Sequence, residues 1–202
     1  MKTLRLLSVL AGAGLAALSG RAAVAIGRAA PNFTLTDLDG RARSLADYKG
    51  KVVVLEWNNP DCPIVHKHYD SGNMPKLQHA ATAEGVVWLT INSSAPGKQG
   101  GDYTPEEIKA WLQARGAAPT DYFRDADGAV GHLYGAKTTP HMFVIAADGT
   151  LAYDGAIDSV PSADQADIPH AENYVSEALA AVEAGRPVAT ATSRPYGCAV
   201  KY

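Results

Sequence analysis

Residues 30–57 read APNFTLTDLDGRARSLADYKGKVVVLEW and end in an apolar run rich in β-branched residues. Such a run over Val52–Trp57 predicts a buried strand. A polar turn follows the strand, and then Cys62 is followed directly by Pro63. Because proline is favoured at the first position of a helix, this order predicts a helix that begins at Pro63, with Cys62 at or next to its N-cap.

A cysteine at the start of a helix has a physical reason to ionise. The free amides of the first turn and the helix dipole stabilise a thiolate, so the position predicts a lowered pKa and a reactive sulfur at Cys62. The alternative is a buried structural cysteine, which behaves as a small apolar side chain. The polar neighbours Asn58, Asn59 and Asp61 favour exposure, and therefore the functional interpretation.

Strand and helix patterns alternate along the rest of the chain. Apolar runs predict strands at Val86–Ile91 and Met142–Ile145, and Asp148-Gly149 predicts a hairpin turn after the second of them. One helix is predicted from the capping box at 104–107 and another after Pro169, and Ser93–Tyr103 is predicted to be a loop. This order predicts one α/β domain over residues 26–202, with a mixed central sheet flanked by helices. Residues 186–202 show no helical period and predict an extended C-terminal tail.

The N-terminal segment predicts export. Lys2 and Arg5 precede an apolar stretch, and Ala23-Val24-Ala25 supplies the small residues that a signal peptidase recognises. Residues 1–25 are therefore typical of a Sec-type signal peptide. Its removal takes away Lys2, Arg5 and Arg21 but no acidic residue, and leaves 15 basic against 21 acidic residues. The signal predicts a periplasmic protein with no membrane partner after signal removal. The acidic balance of the remaining chain argues against nucleic acid as a partner.

Two further motifs carry a family resemblance. The segment 30–57 resembles the opening of the redoxin (AhpC/TSA) superfamily, which has the thioredoxin fold, and Tyr134-Gly135, Thr139-Pro140 and MFVIAADGTLAYDG after His141 resemble its second half. The motifs NPDCP and PYGC resemble a peroxiredoxin-like subgroup of exported bacterial proteins. The resemblance implies a thioredoxin-like fold with an N-terminal hairpin. It also implies a cis Pro140, preceded by Thr139, lying against a redox-active Cys62.

The active-site motif departs from both well-known branches of the superfamily. Where thioredoxins carry the second cysteine of C-x-x-C, this chain has Val65. Where peroxiredoxins carry the threonine and proline of P-x-x-x-T-x-x-C, it has Asn59 and Leu55. The resemblance places Glu56 at the buried acidic position of thioredoxins, where a carboxylate with a raised pKa would move protons. The alternative is a glutamate on an edge strand, paired with a lysine.

Cys198 is the second cysteine of the chain, and three interpretations of it are open. It resolves an oxidised Cys62; it forms a permanent bridge with Cys62, worth about 4–5 kcal/mol for a loop of this length; or it is a separate thiol. The sequence does not decide among them, because a bridge needs Cα atoms within about 7 Å. Two thiols in an oxidising compartment favour pairing.

Two functional hypotheses follow. The first is a thiol–disulfide oxidoreductase, or a peroxiredoxin-like antioxidant protein, that uses Cys62 and Cys198 without a cofactor and exchanges electrons with a thiol- or disulfide-containing protein, a small thiol or a peroxide. The second is a binding module with a structural Cys62–Cys198 bridge, or a copper chaperone similar to Sco proteins. His66 and His141 would supply imidazole ligands to the copper, although no complete ligand set is evident.

Overall fold

The computed structural model describes residues 24–202, so the predicted signal peptide over residues 1–25 lies almost wholly outside the described residues. The strands are β1 Thr34–Thr36, β2 Ala42–Ser44, β3 Val53–Trp57, β4 Val87–Asn92, β5 Asp121–Arg124, β6 Thr138–Thr139, β7 His141–Ile145, β8 Leu151–Gly155 and β9 Cys198–Ala199. The α-helices are α1 Pro63–Asp70, α2 Asn73–Ala83, α3 Pro105–Ala114, α4 Ala129–Tyr134 and α5 Tyr174–Glu183. Short 3-10 helices cover Leu45–Tyr48 and Gln165–His170.

The central sheet of the described chain has five strands in the order β5-β4-β3-β7-β8. Strand β3 runs parallel to β4 and antiparallel to β7, and β8 returns antiparallel to β7 through the predicted hairpin. Strands β1 and β2 form the N-terminal hairpin. The mixed sheet and the hairpin are therefore confirmed.

Successive residues of β3 pack into different cores, because side chains alternate across a sheet. Val54 belongs to the core beneath α1, α2, α3 and α5, whereas Val53 and Leu55 belong to the core beneath α4 and the N-terminal hairpin. With helices on both faces, β3 is buried along its whole length. This central strand carries the chain directly to Cys62.

Local signals account for the helices that the sequence predicted. Pro63 is the first residue of α1 with Cys62 as its N-cap, as expected. At α3, Thr104 accepts a hydrogen bond from the Glu107 amide and the capping box is complete. The sequence analysis missed α2, α4 and β5. Helix α2 contains a proline and starts after Gly72, which has a φ of 76° and offers no side-chain cap.

The tail, residues 186–202, is extended as predicted and lies along the sheet edge. The Asp154 amide donates to the Ala191 carbonyl at 3.1 Å, and the Ser193 amide donates to the Asp154 carbonyl at 3.2 Å. The tail then reaches β6, where its own strand β9 pairs antiparallel with Thr138–Thr139. The tail thus brings Cys198 to the end of the sheet at which Cys62 lies. Within residues 24–202, no helix is long and apolar enough to cross a membrane.

Candidate active site

Cys62 lies between β3 and α1 and is completely buried, with 0% of its surface exposed. Its thiol donates a hydrogen bond to the Thr139 carbonyl, and the sulfur–oxygen distance is 3.0 Å. The expectation of an exposed cysteine is wrong, because the polar neighbours Asn58 and Asn59 are themselves buried. The Asn59 amide group reaches the loop after β4, where it donates to the Gln99 carbonyl at 3.0 Å. These polar side chains close the site instead of opening it to solvent.

The Thr139-Pro140 peptide bond is cis, as the resemblance implied. Thr139 is the residue of β6 that pairs with Cys198 of β9, and the Thr139 carbonyl also accepts the hydrogen bond from the Cys62 thiol. One residue therefore contacts both cysteines. Cys62 and Cys198 are both free thiols in this structure.

Gly197 allows the tail to approach β6 this closely. A Cβ atom at this position would lie 2.1 Å from the Thr139 carbonyl oxygen, and the φ of 136° is one that other residues rarely adopt. The motif PYGC, in which the glycine precedes Cys198, is the only sequence signal of this approach.

The two thiols differ in acidity. Burial acts to raise the pKa of Cys62, but hydrogen bonding by the side chains of Cys198 and Thr139, together with the Val65 amide in the first turn of α1, brings this pKa below its ordinary value. For Cys198, burial together with the hydrogen bond and charge of Cys62 raises the pKa to about 11. Of the two thiols, Cys62 is therefore the more acidic and the one that ionises first.

Glu56 lies on β3, the central strand, and its carboxylate is fully buried among hydrogen-bond donors. The donors in the described chain are Tyr69 Oη at 2.7 Å, Trp88 Nε1 at 2.8 Å, Gln78 Nε2 at 3.1 Å, Asn58 Nδ2 at 3.2 Å and Thr90 Oγ1 at 3.3 Å. Burial raises the pKa of Glu56, although these hydrogen bonds oppose the rise. The edge-strand interpretation with a lysine partner is wrong. The proton-transfer role of Glu56 stays a prediction.

A buried polar cluster holds the tail two residues before Cys198. The Tyr196 hydroxyl donates to Asp158 Oδ1 at 2.5 Å and lies 3.2 Å from His68 Nε2. Burial lowers the pKa of His68 to about 4, so its imidazole is neutral at pH 7. Since His68 belongs to α1, the helix that Cys62 precedes as N-cap also anchors the segment that carries Cys198. The sequence analysis gave no role to this cluster, because its members are far apart in the chain.

The histidines of the copper hypothesis lie apart from one another. His66 Nδ1 is 2.8 Å from Asp70 Oδ2 at the surface, and His141 Nε2 is 2.7 Å from Asp154 Oδ1. Over residues 24–202, no group of three or more His, Cys, Asp or Glu side chains is placed to hold a metal ion. The structure thus gives the copper hypothesis no ligand set among the described residues.

A cysteine at the start of a helix, a facing cis-proline and a sheet with parallel and antiparallel halves define the thioredoxin fold. More specifically, the chain belongs to the AhpC/TSA family, whose model matches residues 26–154. The match includes Cys62 and Pro140 but ends before the tail, so Cys198 lies outside the family's shared region.

Relatives and solved structures agree with this assignment. The chain is 34% identical, over 100 residues, to the thiol-disulfide oxidoreductase ResA of Geobacillus thermodenitrificans, and this covers 48% of the chain and 56% of the relative. The chain thus spans about half the length of this curated relative. An uncharacterized conserved protein of Geobacillus kaustophilus is 26% identical with a TM-score of 0.72, covering 90% of this chain and 94% of that one. A secreted disulfide oxidoreductase of Mycobacterium tuberculosis shares the fold, at 22% identity and a TM-score of 0.50 over 74% of this chain and 95% of that one.

Proposed function

We propose that this protein is a thiol–disulfide oxidoreductase that cycles between a Cys62/Cys198 dithiol and a Cys62–Cys198 disulfide. The observation that carries the proposal is the pairing of β9 with β6, which sets Cys198 opposite Thr139 while Thr139 holds the Cys62 thiol. The name of the Geobacillus relative supports the same chemistry. The electron-exchange partner is a thiol- or disulfide-containing protein, and the place of action is the periplasm.

The two sulfurs are prepared for this exchange. Formation of the bridge removes two electrons and two protons from the dithiol, and a partner disulfide takes up both. The thiolate is the nucleophile in each step of such an exchange. In the step where the Cys62 sulfur itself attacks, Cys62 supplies this thiolate, because the start of α1 and the Cys198 side chain favour the charged form. The β6–β9 pairing keeps the second sulfur at hand without a large movement.

The experiment that tests the proposal is a redox titration of the protein in thiol buffers. Alkylation and mass spectrometry then report the state of each cysteine. A bridge with a potential between about −120 and −270 mV supports a working redox pair, whereas a bridge that resists reduction below about −300 mV makes it structural and rejects the proposal.

The matched variants are Cys62→Ser and Cys198→Ser, each of which replaces one sulfur with oxygen and leaves one thiol. We expect both to lose catalysed reduction of a protein disulfide, because neither can close the bridge. Parallel assays with hydrogen peroxide test the antioxidant alternative. Turnover of peroxide without turnover of a protein disulfide would replace the proposed substrate class.

A further inference from the structure

The two sulfurs of the redox pair differ in their access to solvent. Cys62 has no exposed surface, whereas Cys198 is half-buried on the outer strand β9. A cleft of about 570 Å³ opens along the tail segment that ends one residue before Cys198, and its lining includes Thr138, Tyr196 and Gly197. A cavity of this size accommodates a small ligand or a short peptide segment. An incoming thiol therefore meets Cys198 before Cys62.

Hydrogen bonds hold the tail on both sides of Cys198, so the tail cannot move away from β6 at Cys198 without breaking one of them. On one side, the Tyr196 hydroxyl binds Asp158 at 2.5 Å. On the other side, the Val200 amide donates to the Lys137 carbonyl at 3.1 Å. The tail segment that covers Cys62 is thus held at both of its ends.

The last residue adds a further anchor. The Tyr202 hydroxyl donates to the Ala136 carbonyl at 2.9 Å, and its ring stacks on His132 with centroids 3.9 Å apart. A Cβ atom at Gly128 or at Gly131 would lie 2.6 Å from the Tyr202 ring, so glycine at both positions makes room for it.

We infer that an external thiol attacks the sulfur of Cys198, and that Cys62 is the leaving group. This order is the reverse of the one expected from the sequence, in which Cys62 meets the partner and Cys198 resolves the product. The inference rests on the proposed function, since it assigns the atom at which that same exchange begins.

The step balances as follows. The partner's thiolate forms a bond to Cys198 Sγ, the Cys62–Cys198 bond breaks, and its electron pair stays on Cys62 as a thiolate. A second thiolate of the partner then attacks the partner's own sulfur in the mixed disulfide. The partner leaves as a disulfide, Cys198 takes up a proton from water, and two electrons have entered the protein.

The acidities of the two thiols favour the same direction. A thiol of lower pKa is expelled faster from a disulfide. The pKa of Cys62 lies below its ordinary value, whereas burial, the largest cause, raises the pKa of Cys198 above its own. Solvent access and leaving-group acidity therefore both favour attack at the Cys198 sulfur with Cys62 as the leaving group.

The test uses the oxidised full chain and N-acetylcysteine as a monothiol. Acid quenching at short times, digestion and mass spectrometry locate the mixed disulfide, and extrapolation to zero time removes any later transfer between the cysteines. We expect at least about tenfold more adduct on Cys198 than on Cys62. Equal adducts, or an excess on Cys62, overturn the inference and leave the proposed function intact. Failure to form any bridge on oxidation rejects the proposed function itself.

A variant pair tests the role of the tail. Tyr202→Ala removes the ring that anchors the end of the tail, so we expect the share of adduct on Cys62 to rise at least about threefold as its covering loosens. Tyr202→Phe keeps the ring on His132 and should retain the wild-type ratio. An unchanged ratio in Tyr202→Ala would overturn the claim that the docked tail shields Cys62.

Discussion

Gly197 sets the distance between the tail and β6, and Gly197→Ala changes it with a single methyl group. The added Cβ would lie 2.1 Å from the Thr139 carbonyl oxygen at a φ of 136°. The dithiol protein relieves this strain by moving its tail away from β6. The Cys62–Cys198 bridge prevents that movement, so the substitution destabilises the disulfide relative to the dithiol.

The magnitude follows from the backbone. A residue with a side chain held in such a conformation costs about 1–3 kcal/mol. At about 1.4 kcal/mol for each factor of ten, this lowers the equilibrium constant for bridge formation about 5- to 150-fold. For a two-electron couple the reduction potential rises by about 20–65 mV, since 30 mV corresponds to about 1.4 kcal/mol.

The assay is the thiol-buffer titration with alkylation of free cysteines, applied to the wild type and two variants. Gly50→Ala is the matched control, because Gly50 also has a positive φ, of 84°, but a Cβ there meets no atom within 4 Å. We expect Gly50→Ala to keep the wild-type potential. If Gly197→Ala keeps it too, the pairing of β9 with β6 does not position Cys198, and the reasoning is refuted.

Two other predictions concern buried polar groups. Glu56→Gln should lower the free energy of unfolding, measured by chemical denaturation, by about 2–4 kcal/mol. The reason is that the NH₂ group of the new glutamine would face donors that bind a carboxylate oxygen in the wild type. An unchanged free energy of unfolding would show that these donors find other partners. The pKa of His68 is about 4 in the folded protein against an ordinary 6.5. The unfolded chain therefore binds more protons between these values, and stability should fall by up to about 3 kcal/mol as pH drops from 6.5 to 4. A His68→Leu variant should lose this part of the pH dependence, and an equal slope in both proteins would contradict the assignment.

Several features of the fold follow from short segments of the sequence. The apolar, β-branched run that ends at Trp57 forms a buried strand. Pro63 starts a helix because its ring fixes φ and because the first residue of a helix does not need a backbone N–H donor. The capping box at Thr104 acts within one helical turn. The position of Cys62 at a helix start was therefore predictable from its neighbours.

The chemistry of the site depends on contacts between distant segments. The sequence alone left the relation between Cys62 and Cys198 open, and it predicted an exposed Cys62. Only the folded chain places Cys198 against Thr139, buries Cys62 beneath the tail and surrounds Glu56 with donors from α1, α2 and β4. Local patterns report the conformation of a few consecutive residues. The access and acidity of a thiol depend instead on which remote backbone and side-chain groups the tertiary structure brings against it.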